Sequence, residues 1–274
     1  MLVVICIVLA ICFFLLFATW PGRGRDERMK EYSLQMVAHR GFHDDNKIVP
    51  ENSMAAYRLA VENGFGIELD VRLTRDGKLI CMHDRNLKRA AGVDKNADEL
   101  DWQEMKDLRL FGSEERIPLF EEVLRMVGGR VPIVMEIKAE SSDMAGKTSE
   151  AAALMLDSYQ GPVCMESFHP AAVSWFKKNR PETLRGQLSE RFKGYSFPRG
   201  IGAFLLSCCV FDFLTKPDFI AYNVQHRNLV RFRILRGLYH AECAAWVVRS
   251  KEELLSAAGS FDIFIFEGFD PSSS

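Results

Sequence analysis

Eight short apolar runs, rich in β-branched residues, recur from residue 36 onward and alternate with stretches whose apolar residues recur at helical spacing. This alternation is typical of a parallel sheet with crossover helices. A domain of roughly 250 residues fits one closed barrel of such units. We therefore predict an α/β fold, a (β/α)8 TIM barrel. Its predicted strands are residues 36–40, 67–73, 132–138, 163–168, 184–188, 219–224, 244–248 and 263–266.

A ninth apolar run, residues 78–83, follows the pair Asp76-Gly77. Asp-Gly favours a two-residue type I′ turn, which joins neighbouring antiparallel strands. The pattern therefore predicts a β-hairpin after strand 2, with Asp70 facing His83. The charged, irregular stretch over residues 85–115 predicts a small insertion over the mouth of the barrel.

The chain begins with an unbroken run of apolar and small residues from Leu2 to Trp20. A run of about 20 such residues predicts a transmembrane anchor, here over residues 1–20. A cleaved signal peptide is the alternative, but no basic residue precedes the run. Residues 21–33 predict a juxtamembrane linker, and residues 34–274 form the predicted barrel domain. Basic residues at 23, 25, 28 and 30 place that domain on the cytoplasmic side of the membrane.

Charge and cysteine usage narrow the range of partners. The formal net charge of -2 argues against a nucleic-acid partner, because such proteins need clustered basic residues to neutralise phosphates. The seven cysteines show no C-x-x-C spacing, which favours buried thiols in a reducing compartment. No sequence feature indicates an obligate protein partner.

Three carboxylates lie at or near the predicted strand ends, where active sites of parallel barrels form. Glu68 and Asp70 belong to the second strand and Glu136 to the third. Oxygen ligands without a cysteine or a compact histidine pair suit Ca²⁺ or Mg²⁺ rather than zinc. The alternative is that these carboxylates are solvated or paired with neighbouring cations.

Two histidines and two cations complete this constellation. His39 and His83 could serve as the general acid and base that a phosphodiester requires, because its leaving group is poor. Arg40 and Lys138 could offset charge on the phosphoryl oxygens. A lone histidine near a strand end is more often structural, but two beside a carboxylate cluster point to a metal-assisted phosphodiester hydrolase.

Five strings in this region carry a resemblance to a known family. They are A-H-R-G at 38–41, P-E-N-S at 50–53, E-L-D-V-R-L-T-R-D-G at 68–77, M-H-D at 82–84 and M-E-I-K at 135–138. In this order and spacing they resemble the glycerophosphodiester phosphodiesterase family, part of the superfamily of phospholipase C-like phosphodiesterases that act on phosphatidylinositol.

The resemblance implies a barrel enzyme of lipid metabolism that hydrolyses glycerophosphodiesters to sn-glycerol 3-phosphate and an alcohol. By analogy with the phospholipases C, the glycerol 2-hydroxyl would be the first nucleophile and water the second. The final strand departs from the family pattern, since the string F-I-F-E-G-F at 264–269 stands in place of a strand that ends in a Thr-Asp pair. The resemblance assigns His39 and His83 to acid–base catalysis, Glu68, Asp70 and Glu136 to the divalent cation, and Arg40, Lys138, Glu51 and Trp246 to the substrate and phosphate site.

Two other functions remain open at the sequence level. One is phospholipase D-like or C-like activity on lysophospholipids or intact lipids, reached through the membrane. The other is a non-catalytic barrel that binds phosphorylated ligands. The products released from the substrate would distinguish the three.

Overall fold

The computed structural model describes residues 2–21, 27–33, 35–191 and 209–273. Nine strands within these ranges form one sheet. The strands are β1 Met36–Ala38, β2 Gly66–Leu73, β3 Leu79–Cys81, β4 Ile133–Ile137, β5 Val163–Ser167, β6 Leu184–Ser189, β7 Phe219–Asn223, β8 Glu242–Val248 and β9 Ile263–Phe266.

Helices connect the strands and cover the outside of the sheet. Within the described ranges the α-helices are α1 Leu2–Ala18, α2 Met54–Glu62, α3 Lys88–Ala91, α4 Trp102–Met105, α5 Phe120–Val127, α6 Ser142–Leu156, α7 Pro170–Asn179, α8 Asp212–Thr215, α9 Val230–Gly237 and α10 Lys251–Ala257. Short 3-10 helices cover Glu27–Glu31, Ala97–Glu99 and Val224–His226.

The eight parallel strands close into a barrel because β1 pairs in parallel with both β2 and β9. Strand β3 lies outside this ring and pairs antiparallel with β2. Strand β4, with its β-branched residues, is buried along its whole length, as expected for a parallel strand covered on both faces. The predicted (β/α)8 barrel is therefore confirmed.

Apolar side chains fill the barrel interior below its carboxyl end. They include Val37, Val134, Cys164 and Phe219, all of which belong to one buried cluster. A side chain at Gly186 would lie only 2.4 Å from the Phe219 ring, so glycine leaves room for this ring. The interior is a packed core, and polar chemistry is confined to the layer above it.

The hairpin forms, but its register differs by one residue from the predicted one. Leu73 pairs with Leu79 and Arg72 with Ile80, and the backbone N–H of Met82 donates to Asp70. The predicted pairing of Asp70 with His83 is therefore wrong. The reason lies in Thr74, whose hydroxyl bonds the Asp76 carboxylate and the Lys78 backbone and so extends the connection to three residues.

Residues 85–118 pack over the hairpin between β3 and α5. Their apolar side chains form a small core of their own, which includes Leu87, Leu100, Met105 and Leu110 together with Ile80 of β3. The segment is thus held by packing and lies beside the carboxyl end of β2.

The predicted transmembrane anchor over residues 1–20 is not found. Helix α1 has 17 residues, whereas about 20 are needed to cross a bilayer. None of the helices in the described ranges combines the length and the apolar character that a membrane span requires.

The C-terminal end of α1 packs beside the N-terminal ends of β7 and β8. The Phe17 ring lies 5.7 Å from the Phe213 ring, and Lys216, just before β7, lies over the Trp20 ring at 4.7 Å. Met29 and Tyr32, which follow α1, are buried with the interior core. These contacts lie at the end of the barrel opposite to the carboxyl ends of the strands.

Candidate active site

The three predicted carboxylates meet at the carboxyl end of the barrel. Oxygen atoms of Glu68, Asp70 and Glu136 all lie within 4.8 Å of one another. Register explains this, because Asp70 pairs with Glu136 across β2 and β4, and alternation brings Glu68 to the same face. All three side chains are buried, so their charges must be balanced within the protein.

Two cations lie against this carboxylate cluster. The Lys138 ammonium is 2.7 Å from Glu136 Oε2 and 3.0 Å from Asp70 Oδ1. Arg40 Nε lies 3.4 Å from Asp70 Oδ2, and the Arg40 backbone N–H donates to Glu68 Oε2 at 2.9 Å. Arg40 has a φ of 54°, in the left-handed region, and the chain turns there immediately after β1.

The carboxylates differ in their pKa values. Burial and the neighbouring Asp70 raise the pKa of Glu68 well above its ordinary value. Burial also raises the pKa of Glu136, to about 7, although Lys138 opposes this shift. Burial disfavours ionised Asp70 too, but Lys138 and Arg40 outweigh it and hold the pKa of Asp70 well below its usual range. The three carboxylates, when all are ionised, exceed the two cations by one negative charge, and the raised pKa values show that protonation relieves this excess when no further cation is bound.

A fourth acidic residue lies beside these three. Glu166 on β5 pairs in register with Glu136 and is buried, and its Oε2 atom has no hydrogen-bond partner among the described residues. Burial and the neighbouring Glu136 raise the pKa of Glu166 well above its ordinary value. An all-oxygen donor set with an unsatisfied buried carboxylate oxygen fits a hard divalent cation such as Ca²⁺ or Mg²⁺.

The P-E-N-S string supports the cluster through hydrogen bonds. Asn52 donates from Nδ2 to Asp70 Oδ2 at 2.8 Å and accepts at Oδ1 from the Tyr57 hydroxyl at 2.7 Å. Ser53 caps α2 by accepting from the Ala56 N–H. These bonds fix the orientation of the Asp70 carboxylate.

Glu51 contacts two guanidinium groups. Arg40 Nη1 donates to Glu51 Oε1 at 2.8 Å, and Arg89 Nη2 donates to the same oxygen at 2.6 Å. Burial opposes ionisation of Glu51, but the two arginines lower its pKa to about 2. Glu51 therefore positions Arg40 and ties the site to the insertion.

His39 leads from β1 into the site and is held by Glu267. The Nδ1 atom of His39 lies 2.5 Å from Glu267 Oε2, and its Nε2 atom lies 3.9 Å from Glu68 Oε2. Burial lowers the pKa of His39, and the bond to Glu267 partly offsets the shift. A carboxylate at Nδ1 favours the proton on that atom and leaves Nε2 free to accept one.

His83 has an equivalent arrangement at the end of the hairpin. Its Nδ1 atom lies 2.8 Å from Asp84 Oδ1, and Arg89 Nε donates to the other Asp84 oxygen at 2.5 Å. Arg72 Nε donates to the His83 carbonyl at 2.9 Å and fixes the backbone. Burial lowers the pKa of His83, while Asp70 opposes that shift.

Trp246 lies near the carboxyl end of β8, two residues before the last residue of the strand. Its ring packs edge-on against Phe168 at 5.5 Å, and its Nε1 atom has no hydrogen-bond partner in the described part of the chain. The structure thus brings together eight of the nine predicted site residues, whereas Trp246 packs against Phe168, just after β5.

Sequence reasoning missed the carboxylates Glu267, Asp84 and Glu166. Asp84 directly follows His83 in the M-H-D string, and Glu166 alternates with Cys164 on a strand that was predicted. Glu267 was visible only as a departure from the family pattern. Strand alternation and the closure of β1 on β9 are the signals that could have assigned them.

Comparisons with known proteins agree with this geometry. A profile of the Glycerophosphoryl diester phosphodiesterase family matches residues 39–196. A glycerophosphodiester phosphodiesterase of Caldanaerobacter subterraneus is 40% identical over 112 residues, which cover 38% of this chain and 45% of that protein. A glycerophosphodiester phosphodiesterase of Bacillus altitudinis is 33% identical over 161 residues, covering 54% of this chain and 63% of that protein.

A human protein named lysophospholipase D GDPD1 is 31% identical over 148 residues, which cover 49% of this chain and 46% of that protein. The matches with these three relatives therefore span less than two thirds of each relative.

Solved structures share the fold over most of the chain. An Oleispira antarctica phosphodiesterase in complex with the product sn-glycerol-3-phosphate aligns with a TM-score of 0.69 at 20% identity, covering 87% of this chain and 94% of that one. A Thermotoga maritima glycerophosphodiester phosphodiesterase aligns with a TM-score of 0.65 at 23% identity, covering 85% and 94%.

Proposed function

The chain belongs to the Glycerophosphoryl diester phosphodiesterase family, and we propose that it hydrolyses glycerophosphodiesters to sn-glycerol 3-phosphate and an alcohol. One observation carries this proposal. Two histidines, each held at Nδ1 by a carboxylate, lie beside the buried carboxylate cluster. Binding alone requires no acid–base pair, so this arrangement favours an enzyme over a ligand-binding barrel.

In this proposal Glu68, Asp70 and Glu136 hold one divalent cation, Ca²⁺ or Mg²⁺. When bound, the cation supplies positive charge for the phosphoryl oxygens. Asn52 keeps the Asp70 carboxylate oriented toward the cluster. The buried, unpaired oxygen of Glu166 is the feature of this chain that most supports a missing positive charge.

Arg40 and Lys138 contact the carboxylates of the cluster, and their N–H groups can also bind the phosphate. The Arg40 guanidinium is fixed by Glu51, and the Lys138 ammonium by Asp70 and Glu136. Preorganised cations of this kind stabilise charge that develops on phosphoryl oxygens in the transition state. We assign Trp246, whose Nε1–H is buried and has no partner among the described residues, to the substrate site as an aromatic contact.

The two histidines divide the proton transfers between them. His39 Nε2 accepts the proton of the attacking hydroxyl, and the new bond forms between its oxygen and phosphorus. His83 Nε2 donates a proton to the oxygen of the leaving alcohol as its bond to phosphorus breaks. The roles reverse if water attacks a cyclic intermediate in a second step, which restores both histidines.

A lysophospholipase D activity is the second candidate, and the human relative of that name favours it. The bond broken is the same, but the substrate carries one acyl chain and the product is a lysophosphatidate. The Phe168–Trp246 pair offers an aromatic wall at the mouth that an apolar group can contact.

Product analysis decides between the two candidates. Glycerophosphocholine and lysophosphatidylcholine are supplied separately with Mg²⁺ or Ca²⁺, and the phosphorus-containing products are identified. Release of sn-glycerol 3-phosphate from the first, at a higher kcat/KM than choline release from the second, supports the leading proposal. The reverse order supports lysophospholipase D, and no release from either contradicts both.

A further inference from the structure

A cavity of about 620 Å³ opens beside His83, between the carboxyl end of β2 and the insertion. His83 belongs to its wall, so the cavity shares this residue with the proposed catalytic site. Its other charged lining residues are the four cations Arg72, Arg85, Lys88 and Arg89 and the two carboxylates Asp84 and Glu140. We call it the cationic cavity.

Carboxylates hold Arg72 and Arg85 so that one Nη atom of each guanidinium remains available to bind a ligand. Arg72 donates from Nε to the His83 carbonyl and from Nη1 to Glu140, and its Nη2 atom makes no hydrogen bond with the described residues. Arg85 donates from Nε and Nη2 to Asp98, each at 2.8 Å. Its Nη1 atom also makes no hydrogen bond with the described residues. Guanidiniums fixed in this way are suited to bind phosphoryl or carboxylate oxygens.

Lys88 adds an exposed positive charge at the rim. Its side chain is 70% exposed, and its ammonium lies 3.0 Å from Asp94. Asp94 and Asp98 do not line the cavity, but their negative charges weaken its electrostatic field at long range. Selection of an anion must therefore come from direct N–H contacts inside it.

We propose that the cationic cavity receives the leaving alcohol and favours alcohols that carry a further phosphoryl or carboxylate group. The inference rests on the proposed function, in which His83 protonates the leaving oxygen. That oxygen lies at His83, so the remainder of the alcohol extends along the wall that His83 shares with Arg72 and Arg85. Lys88 reaches the same space from the insertion.

Three glycerophosphodiesters test this inference, with 1-propanol, choline and 3-hydroxypropanoate as the esterified alcohols. The propanol and hydroxypropanoate esters match in chain length and differ in one carboxylate. We expect the wild-type protein to give the highest kcat/KM with the hydroxypropanoate ester and the lowest with the choline ester. The double variant Arg85→Gln/Lys88→Gln should lower the hydroxypropanoate-to-propanol ratio by about tenfold, the range expected of two exposed ion pairs.

Matched controls separate this effect from a loosened insertion. Arg75 also pairs with insertion carboxylates, at 2.8 Å, and Lys147 pairs with Asp143 while 64% exposed. Neither lines the cavity, so Arg75→Gln/Lys147→Gln should leave the ratio unchanged. Lys88→Gln alone keeps the test valid if Arg85→Gln impairs folding, because Lys88 is exposed.

Two results would overturn the inference: a wild-type ratio at or below one, or an equal ratio in the wild type and the Arg85→Gln/Lys88→Gln variant. Failure of the proposed function is distinct, since none of the three esters would then be hydrolysed. Equilibrium binding of the esters to the metal-free protein, measured by calorimetry, needs no turnover and decides the charge preference in that case.

Discussion

The Nδ1 atom of His39 lies 2.5 Å from the Oε2 atom of Glu267, although the two residues are 228 positions apart. Strand pairing produces this contact, because Ala38 of β1 pairs with Phe266 of β9 and the next residue of each strand enters the site. Arg249 also contacts Glu267: its Nη2 atom lies 2.5 Å from Oε1, the other carboxylate oxygen of Glu267. Closure of the barrel therefore supplies the group that orients the first histidine.

Removing the Glu267 charge should impair catalysis through His39. We expect Glu267→Gln to lower kcat by about 10- to 100-fold, as loss of such an orienting partner commonly does. Because Glu267 raises the pKa of His39, the limb of the pH–rate profile that reports His39 should move to lower pH. Steady-state kinetics across pH check this. The exposed Glu252→Gln is the control, and an unshifted profile with full activity would remove Glu267 from the mechanism.

The two histidines should be needed for turnover and not for folding. His39→Ala and His83→Ala are each expected to reduce kcat by about 10² to 10⁴, the usual contribution of acid–base catalysis. Circular dichroism and thermal unfolding check that the variants fold. The exposed His240→Gln serves as control, and a change below about threefold in both alanine variants would exclude this pair as acid and base.

Stability without a cation should depend on pH through Glu136. Its pKa rises from 4.5 to about 7 on folding, so its stabilising contribution is complete below about pH 4.5 and is lost as pH rises through 7. The pKa values of Glu51 and Glu267 are lowered to about 2, so these residues change the stability only below this pH range. Histidines also titrate in this pH range, so their contribution must be subtracted. The test therefore compares thermal unfolding of the wild type and of Glu136→Gln between pH 5 and 8. Equal pH dependence in both proteins would contradict the assignment.

Glu166 should contribute to cation affinity although it lies outside the three-carboxylate cluster. We expect Glu166→Gln to raise the melting temperature of the metal-free protein, because the amide cannot ionise, whereas burial and Glu136 oppose ionisation of the Glu166 carboxyl group. The same change should weaken Ca²⁺ or Mg²⁺ binding several-fold in calorimetry. Glu242→Gln, a buried carboxylate at the other end of the barrel, is the control. Unchanged affinity in Glu166→Gln would show that Glu166 does not sense the cation.

The barrel could be predicted from sequence because its strands are short, apolar and separated by helical patterns. Every observed strand end lies within two residues of the prediction. Strand β1 stops early, since Arg40 adopts a left-handed conformation and starts the turn into the site. The hairpin register could not be predicted, because the Thr74 side chain, rather than the Asp-Gly pair alone, determines the length of the connection.

The sequence could predict the site residues that lie on the same strand or on strands in register. It could not predict contacts that form only because the barrel closes. Alternation alone places Glu68 with Asp70, and parallel register adds Glu136. The His39–Glu267 pair depends on which strands close the barrel, which no local pattern states. The expected membrane span rested on hydropathy over residues 1–20, whereas helix α1 ends at Ala18.

Cation-dependent hydrolysis of a glycerophosphodiester by the paired histidines is tested most directly by phosphorus NMR. Glycerophosphocholine is incubated with the protein, with Mg²⁺ or Ca²⁺ present and after exhaustive chelation. We predict sn-glycerol 3-phosphate as the phosphorus-containing product with the cation, and none after chelation or in the His39→Ala and His83→Ala variants. Release of phosphocholine, or undiminished release of sn-glycerol 3-phosphate after chelation, would contradict the account.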